Sequence, residues 1–255
     1  MERNDAPIAY RAQEAVATIT LNAPERRNAL SLELIAALRS AIAAAVADRD
    51  VRVIVIDHAG PVFCAGADLK ESVAATRLED LPAAHLAEAL ADIAEAPKPV
   101  IVSAHGAARG GGLGLLAAAD IAVCDEDAEL AFSEVRLGVV PAVIGPVVAR
   151  RLSPARMRQA FLTGEAFDGR TAAEWGLVTL PEGTDYLPHY VGHLVDALTR
   201  GGPAAQAGIK VLTATPDLRG ALRSAAAVTA EYFFSEEGRE GTRSFLEKRP
   251  PSWVG

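Results

Sequence analysis

Twice along this chain a Val/Ile-rich run empties into a glycine-rich stretch. The first is Val51-Arg-Val-Ile-Val-Ile56, followed by the turn-rich segment Gly60–Gly66. The second is Pro99-Val-Ile-Val-Ser103, followed by His105-Gly106 and the triple glycine Gly110-Gly111-Gly112, which opens an apolar helix over Leu113–Ala119. Short continuous apolar runs read as strands buried on both faces. Strands alternating with helices point to an α/β body.

The flanking segments extend this pattern. Val16-Ala-Thr-Ile-Thr-Leu21 alternates and is β-rich, so it predicts a strand, and Asn22–Asn28 is a polar, Pro-containing loop. Ser31 is placed to cap a helix carrying Leu34, Ile35, Leu38, Ile42 and Val46 at helical spacing, with Glu33 favourable at its positive end. A second helix is predicted over Pro82–Ala96, and short strands over Asp120–Cys124, Glu129–Phe132 and Leu177–Leu180. Helical patterns dominate from Pro146, and the segment Gly201–Trp253 reads as helices only. The expected division is a core over 1–200 and a C-terminal helical region over 201–255.

Half of the 255 residues are hydrophobic and only 5% are aromatic, so Ala, Val, Leu and Ile must fill the core. A net charge of −8 without a Lys/Arg run argues against nucleic acid as partner. Cys64 and Cys124 form neither a CxxC pair nor a metal spacing, which favours a reducing compartment and no metal site. The opening residues lack a charged-then-apolar leader, and no apolar run is long enough to span a bilayer. A cytoplasmic protein with no membrane partner is expected.

Two loops can carry chemistry. Phe63-Cys-Ala-Gly-Ala-Asp-Leu-Lys70 and His105-Gly-Ala-Ala-Arg-Gly-Gly-Gly-Leu-Gly114 both follow strands. Glycines at such turns let backbone N–H groups approach a ligand, and a helix N-terminus favours negative charge. If the loops converge, two N–H groups can hold one developing oxyanion. The plainer alternative is that the glycines only permit close strand–helix packing. Glu134 stands beside an apolar strand end, where burial would raise its pKa and suit it to proton transfer; the bland alternative is an ion pair with Arg136. His58 and His105 read as hydrogen-bonded turn residues. Gly112, Gly114 and Ala117 also satisfy G-x-G-x-x-G/A, with Glu134 twenty residues beyond Gly114, so a nicotinamide-dependent dehydrogenase is a rival reading.

Six segments in register resemble the enoyl-CoA hydratase/isomerase (crotonase) family. They are Asn22–Ser31, Phe63–Glu71, His105–Gly114, Phe132–Pro141, the pair Thr163–Phe167 and Ala172–Val178, and Phe245-Leu-Glu-Lys-Arg249. The resemblance implies a crotonase-like spiral of ββα turns with a C-terminal helical trimerisation region, assembled as a homotrimer or hexamer. It implies a CoA thioester as substrate and no separate cofactor. By motif, Ala67 and Gly111 would hold the thioester oxygen and Glu134 would be catalytic. Arg26, Arg27, Ala29, Leu30, Ala65, Asp68, Leu69, Lys70, Arg109, Gly110 and Gly114 would line the substrate and CoA site. Phe245 and Lys248 would reach it from a neighbouring subunit.

Family hydratases carry a first Glu two residues after the triple glycine, and here that position is Gly114. One carboxylate suits a proton shift between carbons, as in family isomerases. However, Gly110–Leu115 with Pro141-Ala-Val-Ile-Gly-Pro146 resembles the methylglutaconyl-CoA hydratase-like subgroup, which also lacks the first Glu. Hydration of a 2-enoyl-CoA is therefore the leading expectation, with a branched glutaconyl-type chain as one candidate. The isomerase and a CoA-binding homologue of low activity stay open. Arg109 invites a bidentate contact to a distal substrate carboxylate, or else pairs locally.

Overall fold

The computed structural model describes residues 6–182 and 186–254; residues 1–5, on which the expectation of no leader rests, lie outside them. The chain opens with β1 (Ile8–Gln13), β2 (Val16–Leu21) and α1 (Leu32–Ala47). Next come β3 (Val53–His58), β4 (Val62–Cys64), α2 (Leu69–Ala74) and α3 (Pro82–Glu95). The second glycine loop lies among β5 (Val100–Ala104), β6 (Ala107–Arg109) and α4 (Gly111–Ala118). After β7 (Ile121–Asp125) and β8 (Leu130–Ala131), a 3-10 turn spans Ser133–Leu137. The series α5 (Gly145–Val148), α6 (Pro154–Thr163), β9 (Ala166–Phe167), α7 (Gly169–Trp175) and β10 (Leu180–Glu182) completes the sheets. Four helices close the chain: α8 (Leu187–Thr199), α9 (Pro203–Leu212), α10 (Leu218–Phe234) and α11 (Glu236–Leu246).

Two sheets organise these elements. The larger runs β1-β2-β3-β5-β7-β10, parallel except for the β1–β2 hairpin; the smaller runs β4-β6-β8-β9. Successive strand–strand–helix turns thus feed one strand to each sheet, giving the expected spiral. The main strands are buried on both faces, as their continuous Val/Ile runs require. Val53, Val55 and Ile101 meet Val191, Leu194, Val195 and Leu198 of α8, whereas Ile54, Ile56, Val100 and Val102 join the larger core with α1 and α3.

Local chemistry explains the boundaries. Ser31 Oγ accepts from Leu34 N–H at 3.2 Å, capping α1 as predicted. The strand predicted over Val51–Ile56 is displaced to Val53–His58 because Arg52 and Val53 N–H both donate to Ala15 O at the hairpin turn. The predicted strand Leu177–Leu180 instead begins at Leu180. Gly176 caps α7 in the left-handed region, and Leu177 N–H returns to Ala172 O at 2.9 Å, so Leu177 and Val178 enter the core from a loop.

The helical tail is bound into this body. Leu218, Leu222 and Ala226 of α10 belong to the main core. Above them, Arg219 reaches Glu88 (2.7 Å), Asp92 (3.0 Å) and Glu95 (2.8 Å), all on α3. No helix among the described residues is long and apolar enough to cross a membrane.

Candidate active site

The two glycine-rich loops are brought together by the smaller sheet. Parallel pairing of β4 with β6 lays the first loop beside the second. The approach is close: a Cβ on Gly106 would lie 2.2 Å from Pro61 O, and one on Gly112 would lie 2.8 Å from Cys64 Cβ. These glycines therefore do permit tight packing, and the packing is what makes the loops converge.

The first loop is zipped to the N-terminal loop. Leu30 N–H donates to Gly66 O (2.8 Å), Asp68 N–H to Leu30 O (3.1 Å) and Ala65 N–H to Arg27 O (3.0 Å). Ala67 sits in this ladder opposite Leu30, and its N–H has no intramolecular acceptor among the described residues. Asn28 fixes the arrangement from beneath. It is fully buried at φ 50°; Oδ1 accepts from Ala23 N–H (2.8 Å), and Nδ2 donates to Ala59 O (3.0 Å) and Val62 O (2.8 Å). Cys64 Sγ accepts from Gly66 N–H at 3.4 Å, and burial pushes its thiol up to about 12, so it stays protonated.

In the second loop, Gly110 takes φ 47° and ψ −110°, and Gly111 is the first residue of α4. A first-turn N–H of a helix has no intrahelical partner and lies at its positive end. Gly111 N–H is such a group, on the loop that β4–β6 pairing lays beside the one carrying Ala67.

Glu134 lies on the 3-10 turn, directly against Gly110: a Cβ there would be 2.6 Å from Glu134 Oε1. Its Oε2 is buried and has no hydrogen-bond partner, and burial pushes the carboxyl up to about 7. The ion pair with Arg136 does not form. A carboxyl that shares its proton with solvent near neutrality suits proton transfer.

The remaining predicted residues fall into three groups. Arg26 pairs with Asp68 and lies 4.0 Å from Glu71, while Arg27 and Lys70 are exposed at the same lip. Asp68 also caps α2, accepting from Lys70 and Glu71 N–H, and Ala29, Ala65 and Leu69 are half-buried beneath the lip. Phe245 and Lys248 are exposed at the end of α11, outside this cluster. Arg109 takes the local alternative: its guanidinium pairs with Glu129 and donates to Glu129 O at 2.7 Å. That pairing occupies the fork a distal substrate carboxylate would need.

Gly114 is buried against Ile144, whose Cγ2 would be 2.6 Å from an added Cβ, and against Leu90. The position that carries the first Glu in family hydratases is thus closed by apolar side chains. The same packing removes the dinucleotide reading. All eight residues of α4 are buried, so Gly112 and Gly114 face Cys64 and Ile144 rather than a pyrophosphate. His105 follows β5 as expected, whereas His58 ends strand β3 rather than lying in a turn; His105 N–H donates to His58 Nε2 at 3.0 Å, and the rings stack at 3.6 Å. Burial lowers His58 to about 4, so it is neutral. The anchoring by Asn28 and the closure by Ile144 carry no sequence signal, since both depend on distant partners.

A cavity of about 660 Å³ lies elsewhere, between α8, α9 and the start of β5. Two of its three lining cations are already engaged: Arg151 caps the carbonyls ending α4, and Lys210 pairs with Asp120. It holds none of the groups described above.

The enoyl-CoA hydratase/isomerase family profile matches residues 11–255. A Bacillus subtilis protein named "Probable enoyl-CoA hydratase" is 32% identical over 255 residues, covering 97% of this chain and 98% of that protein. The carnitinyl-CoA dehydratase of Proteus mirabilis is 33% identical, covering 82% of this chain and 83% of its own. Among solved structures, an enoyl-CoA hydratase from Mycobacterium avium superposes with a TM-score of 0.87 at 37% identity, covering 98% of this chain and all of the other.

Proposed function

The chain belongs to the enoyl-CoA hydratase/isomerase family, and from that premise we propose that it adds water across the C2=C3 bond of a 2-enoyl-CoA thioester, reversibly, using one carboxylate. The observation that carries the reading is the buried, unpartnered Oε2 of Glu134 beside the turn that presents Gly111 N–H. Ala67 and Gly111 N–H groups receive the thioester oxygen and favour the enolate over the ground state. Ionised Glu134 takes a proton from water as the water oxygen bonds to C3. The resulting enolate then takes that proton from Glu134 at C2. No second carboxylate is needed for the balance, and the CoA thioester is substrate rather than cofactor.

The lip formed by Arg26, Arg27 and Lys70 suits the CoA phosphates, with Ala29, Leu30, Ala65 and Leu69 beneath the adenine and pantetheine. The Asp68 pair with Arg26 orients that lip. The apolar side chains packed around Gly111 and Gly114, namely Leu86, Leu90 and Ile144, support an apolar acyl chain over a glutaconyl-type one. Completion of the lip by Phe245 and Lys248 of a neighbouring subunit in a homotrimer or hexamer, and a cytoplasmic location, belong to the same proposal.

A second reading is favoured by the closed site at Gly114, which leaves no second group to orient water. Glu134 would then remove a proton from C2 of a 3-enoyl-CoA and return it to C4. Incubating 2-enoyl-CoA and 3-enoyl-CoA separately in H₂¹⁸O distinguishes the two. Hydration puts ¹⁸O on C3 of the first substrate; rapid double-bond migration in the second, with no oxygen gained by either, overturns the hydratase.

A further inference from the structure

Glu134 needs something to hold it. Its Oε2 has no hydrogen bond, so the side chain is not tethered at its tip, and its place is set by the 3-10 turn beneath it. That turn is clasped by α11. A Cβ on Gly241 of α11 would lie 2.2 Å from Leu137 O and 2.4 Å from Leu137 C. Facing it, Gly138 (φ 65°) approaches α11 so closely that a Cβ would lie 2.7 Å from Glu237 O. Backbone meets backbone at two points, flanked by Trp253 Cη2 at 2.9 Å from the Gly241 position and Glu237 Cγ at 3.0 Å from that of Gly138.

The rest of α11 supports close approach over apolar burial. Its buried residues are Gly238, Gly241, Thr242 and Ser244, while Phe245 and Leu246 are 59% and 43% exposed. Thr242 and Ser244 return their hydroxyls to Gly238 O (2.7 Å) and Gly241 O (2.9 Å), leaving no polar demand on the turn. The contact is transmitted over a single turn: Gly138 N–H donates to Val135 O and Val139 N–H to Glu134 O, both at 3.1 Å.

We propose that α11 is the positioning element for Glu134, acting through the Gly241–Leu137 and Gly138–Glu237 backbone contacts, so that the C-terminal region sets proton transfer within its own subunit. This rests on the reading of Glu134 as the proton carrier. Neither glycine touches substrate; each acts through the turn.

The test uses the full chain with Gly241→Ala and Gly138→Ala, which push on the seam from opposite sides. Each should lower kcat by roughly 10- to 100-fold, the scale of an ångström misplacement, while the Kd for a saturated acyl-CoA stays within about twofold of wild type. The midpoint of the kcat/KM pH profile should fall from about 7 toward 4.5 as the carboxylate meets water. A helix with a merely structural role would leave that midpoint unmoved. On the wild type, hydrogen exchange in rising urea should release α11 and residues 133–138 together, at the urea concentration where turnover fails. Unchanged kcat and midpoint in both variants overturn the inference, as does loss of α11 protection while turnover persists. Glu134→Gln separates the failures: full activity in that variant removes the proton carrier itself, whereas an inactive Glu134→Gln beside fully active glycine variants removes only the role of α11.

Discussion

Replacing Glu134 by Gln keeps the side-chain volume and deletes the titration, so its effect on stability depends on pH in a calculable way. In the fold the carboxyl is raised from 4.5 to about 7 by burial. A group whose pKa rises on folding stabilises the fold below its unfolded pKa, and that contribution is lost as pH climbs through the folded value. At pH 5 native Glu134 is protonated and costs little; at pH 8 it is a buried anion. Each pKa unit corresponds to about 1.4 kcal/mol, so ionisation should penalise the wild type by roughly 2–3 kcal/mol more at pH 8 than at pH 5. Burying the glutamine amide carries a fixed cost, which cancels when the two pH values are compared. Urea unfolding of both proteins at pH 5, 6.5 and 8, at one protein concentration, measures the difference. The stability of Glu134→Gln relative to wild type should rise across this range by that amount. A difference independent of pH would show that Glu134 is hydrated in the fold and ionises normally, and its activation by burial would be refuted with it. The same variant should lose roughly 10²–10⁴-fold in kcat, and wild-type kcat/KM should climb with pH through about 7, because the ionised carboxylate is the acting form.

Gly111→Pro removes the proposed donor at a helix position that tolerates proline and should cost at least ~10²-fold in kcat; Gly111→Ala keeps the N–H while adding the same Cβ against Leu30 and Leu86. If the alanine variant loses as much as the proline variant, sterics rather than the donor explain the loss. Asn28→Ala strands Ala23 N–H, Ala59 O and Val62 O and leaves a non-glycine residue at φ 50°. It should destabilise by about 3 kcal/mol or more, read from denaturant midpoints, and a loss under ~1 kcal/mol would mean that water replaces the side chain.

The parts of the fold legible in the sequence are those where one periodicity decides. The helices α1 and α3 announce themselves by apolar spacing, and the central strands by Val/Ile runs buried on both faces. Glu134 is legible because a carboxylate beside an apolar strand end either finds a cation or is pushed toward its neutral form, and both outcomes mark it. The β1–β2 hairpin is not, because its turn places Glu14 and Ala15 at φ 51° and 68° without the Gly or Asn that normally marks such a turn. In the smaller sheet β8 is legible within Glu129–Phe132, but β6 is hidden for a related reason: it is Ala-Ala-Arg, three residues, too short for a period. The helix α2 starts from a cap at Asp68, inside the stretch Phe63–Lys70 that reads as a loop. Arg109 can be placed next to the site but not aimed, since Glu129 lies twenty residues away and meets it only through the β6–β8 pairing.

His58 at the end of β3 and Glu134 on the 3-10 turn carry opposite displacements: the imidazole drops from 6.5 to about 4 and the carboxyl rises from 4.5 to about 7. In the unfolded chain near pH 5.5 the first would be charged positive and the second negative; in the fold both are neutral. Folding in that range is therefore equivalent to handing one proton from the histidine to the glutamate, with almost none exchanged with the buffer by this pair. Each group alone would tilt stability steeply with acidity, and together the tilts oppose one another. A chain that keeps an acid ready for its chemistry thus escapes much of the acid-dependence such a group imposes, because a second buried residue accepts the opposite change.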